Sequence, residues 1–462
     1  MLMALGDGKP RAHRFEMRSE QDPHILIAWL LIAVLFAGNV AFGANSRLLA
    51  MEYSAMISGL CLMLLLLDRS NAVAAVRGAG RLIPLFMSVI LLAAFTISPL
   101  APVGVRSIDP SSTLQEIIKL AGFGAAFLSG MIICSDARRA AVFFQGLMIA
   151  FLIFVAITAT RHTLGHDTAA DLANGRFAAT FGSPNSAATF IGLGVVVSMS
   201  LLSAPSSQWM PLRTMLGRRV LPAGVLLVCA SALGLTASRA GASATAVACA
   251  LVLIAAFLGS TRRTTRFAII GVAVVATAMI FIGTLTNRDL QARFNLLPND
   301  LAGRQVLYEA HWAALFEFPW FGTGLGTFDA RNLSLINIDN YFALWNIRAA
   351  HDLYLEWLTS GGFVVSTPMA VCGLIVFLKL VVSLWRNSSN FCVLAALGCG
   401  TLALIHGIVD FGLQEPAIAL TVAAILGAGT ARAGSATDAR IQMGQSSVSP
   451  SQPRTRAGGA LW

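Results

Sequence analysis

Apolar stretches of 17 to 22 residues alternate with short polar connections along most of the chain. A bilayer's hydrocarbon core is about 30 Å thick and takes about 20 residues of helix to cross. Twelve stretches meet that length, at 25–43, 48–67, 82–98, 114–134, 140–160, 186–204, 220–238, 241–258, 267–285, 363–384, 391–410 and 415–431. The second holds Glu52 near one end, and the fourth carries Glu116 and Lys119 in its first turns, so these two have the least sharply drawn boundaries. The pattern predicts an all-α, polytopic membrane protein of about twelve spans.

Composition agrees. Of 462 residues, 56% are apolar and only 12% charged, against about 25% charged in soluble domains. A soluble enzyme, a secreted disulfide scaffold and a disordered regulator are excluded. The seven cysteines all lie in apolar runs without a CxxC pair or zinc-type spacing, and read as small buried hydrophobes. The first 24 residues include Glu16, Glu20 and Asp22 and no apolar stretch, so no cleavable signal peptide is expected.

A net charge of +10 would suggest nucleic acid in a soluble protein, but its distribution assigns it to the membrane surface. With residues 1–24 (Lys9, Arg11, Arg14, Arg18) cytoplasmic and the spans alternating, every short cytoplasmic loop is positive: Arg69, Arg77 and Arg81; Arg138 and Arg139; Arg213, Arg218 and Arg219; Arg262, Arg263 and Arg266; Arg386. Both termini are then inside. Residues 25–431 form the transmembrane domain, with a large outer loop at 286–350 between spans nine and ten. Residues 432–462, rich in Ser, Gly, Ala, Gln and Arg, read as a disordered cytoplasmic tail.

This orientation leaves His13 and His24 inside and puts His162, His166, His311, His351 and His406 on the outer side. Charge at a membrane edge is costly and by default functional, so the chemistry is expected on the external face. Arg239, in Leu235-Thr236-Ala237-Ser238-Arg239-Ala240-Gly241, has two readings. It is either a snorkelling arginine or a guanidinium fixed for an anionic group such as a lipid phosphate. The stretch Arg176 to Ser186, ending Ser183-Pro184-Asn185-Ser186, is first of all a helix start capped by Asn185 or Ser183, which leaves Arg176 unexplained. Asn299 to Arg304 looks like a helix entry that would set Arg304, Tyr308, His311 and Leu315 on one face. Pro319 to Phe328, with its Gly-x-Gly-x-Gly, reads as a tight re-entrant turn and not as a nucleotide loop. Trp312, Trp320, Trp345 and Trp357 nearby suit interfacial anchoring or, less simply, stacking on sugar faces. His351, beside Asp352 and Glu356 at the next helix start, suits either a structural hydrogen bond or general-base work. His162, His166 and Asp167 have helical ligand spacing but no further ligand close by, so no metal centre is assigned.

In order and spacing these pieces resemble the bacterial O-antigen ligase and polysaccharide polymerase superfamily of membrane glycosyltransferases, over about residues 170–425. The resemblance rests on Phe181-Gly182-Ser183-Pro184-Asn185, on Ser238-Arg239-Ala240-Gly241, on Gly303-Arg304 followed by Pro319 to Phe328, and on His406-Gly407-Ile408-Val409-Asp410-Phe411. It also rests on the family's His-Asn/Ser/Gln-x9-Gly-x-x-Gly element, here His351, Asp352, nine residues, Gly362 and Val365; the Asp and the Val depart from the pattern. The resemblance implies a GT-C-like helical fold in the bacterial inner membrane. It also implies inverting, metal-independent transfer of a glycan from a polyprenyl-diphosphate carrier, without cofactor or nucleic acid. Arg239 and Arg304 are then candidates to hold the diphosphate and His351 the candidate base, with Arg176, Arg348, Asp352, His406 and Asp410 as secondary candidates. The acceptor would be lipid A–core in a ligase or another lipid-linked glycan in a polymerase. A transporter or lipid flippase is the alternative from another class, but polar groups near mid-membrane and half-to-half symmetry, its expected marks, are missing from the sequence.

Overall fold

The computed structural model describes residues 23–41, 46–165, 176–204, 219–259, 288–386 and 390–446. Regular structure among the described residues is helical throughout: α1 (Pro23–Val40), α2 (Arg47–Leu67), α3 (Arg69–Ala79), α4 (Leu82–Thr96), α5 (Pro110–Ile133), α6 (Ala137–Thr163), α7 (Pro184–Leu202), α8 (Leu221–Leu235), α9 (Arg239–Gly259), α10 (Arg288–Leu315), α11 (Phe328–Leu335), α12 (Tyr341–Leu344), α13 (Leu353–Arg386), α14 (Phe391–Gly407) and α15 (Pro416–Ser446). Seven of them are long and apolar enough to cross a membrane. An eighth results if α3 and α4, bent by 79° at their junction, are taken as one span. The predicted stretches at 25–43, 220–238 and 391–410 correspond to shorter apolar helices, and 267–285 lies outside the described residues.

Local chemistry sets several helix starts. Asp109, Asp136 and Ser183 cap α5, α6 and α7 through side-chain oxygens, with Pro110 and Pro184 in the first turns of α5 and α7. Of the two capping residues open at 183–185, Ser183 takes the role, accepting from the Asn185 N–H at 3.2 Å. The helix carrying Arg304 begins at Arg288, earlier than the entry expected at 299–304. At the other end of the chain α15 runs on to Ser446, past the last apolar stretch and into the segment whose composition reads as disordered.

Lipid tails are as apolar as leucine, so close packing and hydrogen bonds have to hold the helices together. Small residues permit it. A Cβ on Gly130 of α5 would run into the Ala424 carbonyl of α15, and one on Gly427 of α15 into the Phe127 carbonyl of α5. The most enclosed helix is α7, packed against α6, α8, α9 and α14. Phe190 of α7 gathers Phe36, Phe151, Phe154 and Phe181 at centroid distances of 4.8 to 5.7 Å, and all five are buried. Phe181 thereby anchors the segment leading into α7.

The 319–326 turn docks into a break in α13. Gly362 has φ 59° and ψ −175°, outside helical values, so the helix continues only nominally across it. The backbone groups freed there pair with the turn. Thr359 and Ser360 accept from the N–H groups of Thr323 (3.2 Å) and Gly324 (2.8 Å), while Phe363 and Val364 donate to the carbonyls of Pro319 and Trp320 (2.8 Å each). Irregular backbone at membrane depth survives where protein satisfies it, and this pairing supplies that. The turn's other side is held by Ile108 N–H on the Thr323 carbonyl and by the Thr113 hydroxyl on the Leu325 carbonyl, 2.9 Å each. Val365, where the family pattern has glycine, is buried with Val89, Ala93, Leu120 and Leu325 and fills space beneath the turn.

Candidate active site

Four separate segments meet where α7, α9 and α13 begin and α14 ends. Asn185 lies in the first turn of α7, and since Ser183 caps that helix its amide is available for longer contacts. Its Nδ2 donates to Asp410 Oδ1 at 3.4 Å, and its Oδ1 accepts from the Ser238 hydroxyl at 2.8 Å. Asp410, which follows α14 and is fully buried, also faces His351 Nδ1 at 3.4 Å through the same oxygen. Serine, asparagine, aspartate and histidine thus form one continuous chain of hydrogen bonds.

His351 is not the first helical residue. Asp352 caps α13, accepting from the N–H groups of Tyr354 (2.9 Å) and Leu355 (3.0 Å) through Oδ1, and His351 precedes the cap with a left-handed φ of 52°. Its neighbours over-determine that conformation: Glu356 accepts from the Ala350 N–H at 2.9 Å, and the Tyr308 hydroxyl donates to the His351 carbonyl at 3.1 Å. The ring meets Phe411 edge-on at 5.0 Å, and its side chain is 27% exposed. With Nδ1 facing Asp410, Nε2 is the ring nitrogen turned away from that carboxyl group.

Arg304 comes from α10, one turn before Tyr308. It donates from Nη1 to the Val409 carbonyl at 2.9 Å, next to Asp410. Arg239 opens α9 directly after Ser238, so the same chain of bonds ends one residue away from it. Arg176 grips the Thr236 carbonyl with both Nε (3.0 Å) and Nη2 (2.7 Å), fixing the turn in which Ala237 takes a φ of 48°. It is an organiser of the Arg239 turn. The three non-glycine residues with positive φ among the described residues, Ala179, Ala237 and His351, all belong to these connections. Such strain persists only where the surroundings enforce it, and it concentrates at functional sites.

The remaining candidates divide. His406 is buried one turn before Asp410, its Nδ1 2.6 Å from the Thr189 hydroxyl, and it ties α14 to α7. Arg348 is exposed, and its charge is felt by Asp329 in α11. His162 packs edge-on against Phe177 at 5.3 Å, while His166 and Asp167 lie outside the described residues. Among the described residues no group of three His, Cys, Asp or Glu is arranged to hold a metal ion.

Sequence reasoning missed two participants. The Asn185 side chain passed for a helix-start signal, although a polar residue left over beside a filled cap at a membrane edge was itself a sign. Glu415 precedes α15 and is buried five residues after Asp410.

No curated protein matches the chain. Residues 223–367, which contain Arg239, Arg304, His351 and Gly362, match the family model described as O-antigen ligase, and over that stretch the chain is similar to that family.

Proposed function

We propose that this protein is an O-antigen ligase-type glycosyltransferase that moves a glycan from a polyprenyl-diphosphate carrier to an acceptor hydroxyl at the outer face of the bacterial inner membrane, with about twelve spans and both termini cytoplasmic. In a single inverting displacement the acceptor oxygen attacks the anomeric carbon as the bond from that carbon to the diphosphate oxygen breaks. The acceptor proton passes to His351 Nε2, and the electron pair of the broken bond stays on the diphosphate. Arg239 and Arg304 face that developing charge, where fixed cations lower the barrier most. Arg239 also stands at the N-terminus of α9, where the helix dipole favours an anion. Asp410 keeps His351 in the proton-accepting tautomer and balances the imidazolium that forms.

The observation that carries this reading is the convergence itself. Five sequence motifs up to 225 residues apart meet through the Ser238–Asn185–Asp410–His351 chain and the Arg304–Val409 bond. An outward cluster of this kind supports transfer chemistry over transport.

Reconstitution tests it. The protein in liposomes with a polyprenyl-diphosphate oligosaccharide should form a new glycosidic bond in the presence of EDTA, and Arg239→Ala, Arg304→Ala and His351→Ala should each abolish it. Lysine at either arginine position should restore only part, lacking the planar fork. A ladder from donor alone identifies a polymerase; product only with lipid A–core identifies a ligase. Glycan crossing the bilayer with no new bond overturns both.

A further inference from the structure

We infer that Asn185 is a positioning residue for the transfer reaction, its amide setting the Arg239 turn and the His351–Asp410 pair in a fixed relation to one another. The inference rests on the function proposed above and adds a residue outside the 223–367 family match. The amide's orientation follows from its partners. Asp410 presents only acceptor oxygens, so Nδ2 must face it. Ser238 Oγ already accepts from the Gly241 N–H at 3.2 Å, which leaves its hydroxyl proton to go to Asn185 Oδ1. Neither end tolerates a flip of the amide.

Each bond holds a different half of the site. Ser238 is fixed on three sides: its N–H donates to the Thr236 hydroxyl (3.2 Å), its Oγ accepts from Gly241, and its hydroxyl reaches Asn185. Arg239 follows it in the chain, so a shift of Ser238 moves the start of α9. On the other side Asn185 and His351 approach the same Asp410 oxygen, so the amide sets where that oxygen lies and hence how the imidazole is aimed. Asn185 itself has little freedom. It sits in the first turn of the most enclosed helix, and its carbonyl accepts from Thr189, whose hydroxyl meets His406. One side chain on a rigid element therefore sets the separation between the groups for the leaving diphosphate and the group for the acceptor proton. Misplacement by about 1 Å costs on the order of a hundredfold in rate.

The test compares Asn185→Ala, Asn185→Asp, Ser238→Ala and Asn185→Ala/Ser238→Ala in liposomes with a polyprenyl-diphosphate oligosaccharide, rates being normalised to folded protein. Asn185→Ala should lower kcat about 10- to 100-fold while the donor KM moves less than about threefold. The double variant should be slower than Asn185→Ala by less than Ser238→Ala alone slows wild type, because part of the Ser238 hydroxyl's effect runs through the amide and only the rest through its bond to the Gly241 N–H. Asn185→Asp keeps the size and puts a second carboxyl against Asp410, and such a pair holds one proton between them. The charged and titratable groups around the pair are His351, His406, Arg304, Tyr308 and Glu415. With the shared proton present the acid can donate to Asp410 as the amide does. Activity should therefore approach wild type in mild acid and fall more steeply than wild type as pH rises and that proton leaves.

An Asn185→Ala kcat within about twofold of wild type, or an Asn185→Asp profile parallel to wild type, overturns the inference. Should Asn185→Ala not accumulate in the membrane, the Asn185→Asp profile decides alone. His351→Ala run alongside separates the two levels. Turnover without His351 overturns the proposed chemistry, whereas an inert His351→Ala beside a fully active Asn185→Ala overturns only the positioning role.

Discussion

Gly362→Ala should release the docked turn from α13. The backbone at 362, with φ 59° and ψ −175°, lies in a region essentially restricted to glycine, where another residue costs on the order of 1–3 kcal/mol. Space is lacking as well, since a Cβ would enter the Trp320 carbonyl and the Gly322 nitrogen, both backbone atoms that cannot swing aside. Relief requires the turn to back away, which forfeits the four backbone hydrogen bonds joining 319–324 to 359–364. At about 0.5–1.5 kcal/mol each they contribute about 2–6 kcal/mol. Even the lower ends of the two ranges sum to about 3 kcal/mol, so local opening should become roughly a hundredfold more populated. Amide hydrogen exchange in nanodiscs reads this directly, on peptides covering 319–327 and 359–366. Gly373→Ala is the control: it lies in the same helix with nothing within contact distance of the added methyl. Exchange in Gly362→Ala within about threefold of that control would refute the reasoning.

Three further outcomes are expected. Cysteines placed at Leu333 and Arg77, both exposed, should react with an impermeant thiol reagent from opposite sides of the membrane, and labelling from one side would overturn the charge-based orientation. Asp410→Asn should lower kcat by on the order of a hundredfold with the donor KM little changed, since in the proposed transfer Asp410 sets the tautomer of His351. Acid should loosen the outer loop at His311. Asn332 gives its amide N–H groups to the carbonyls of Leu344 and Ile347, so its oxygen takes the His311 Nε2–H at 3.1 Å and the ring is neutral. Burial holds the His311 pKa below 6.5, so the opened segment binds the proton more readily; protection of 328–347 should fall as pH drops below about 6.5 and level off below the folded value, and pH-independent protection would count against this.

The sequence makes the helices visible because an apolar stretch of about 20 residues has few alternatives in a bilayer. It also shows which polar residues are too costly to be incidental, and Arg239 and His351 stand out on that ground, whereas Arg304 is marked by helical spacing and the family resemblance and Asp410 by the resemblance alone. What they do to one another is not local information. Arg176 binds a carbonyl 60 residues away, and Asn185 spans from Ser238 to Asp410; neither leaves a periodicity to detect. The break at Gly362 is hidden for the same reason, its partner strand of backbone being some forty residues earlier in a turn that looks self-contained. Asp352 departs from the family pattern, yet in the structure it serves as an ordinary helix cap beside His351.

The placement of Asp410 has a consequence for biogenesis. The turn at 319–326 leaves the ribosome before the 359–364 backbone it satisfies, so the broken helix has its partner waiting when it is made. Asp410, in contrast, lies between α14 and α15, after Asn185, Ser238, Arg239, Arg304 and His351. A nascent chain already carrying both arginines and His351 lacks the carboxyl group that faces the imidazole until α14 has been made. Synthesis order thus closes the Ser238–Asn185–Asp410–His351 chain of bonds only after α14 has been made, so a chain cut short before α14 carries the separate pieces of the cluster but not the link between them.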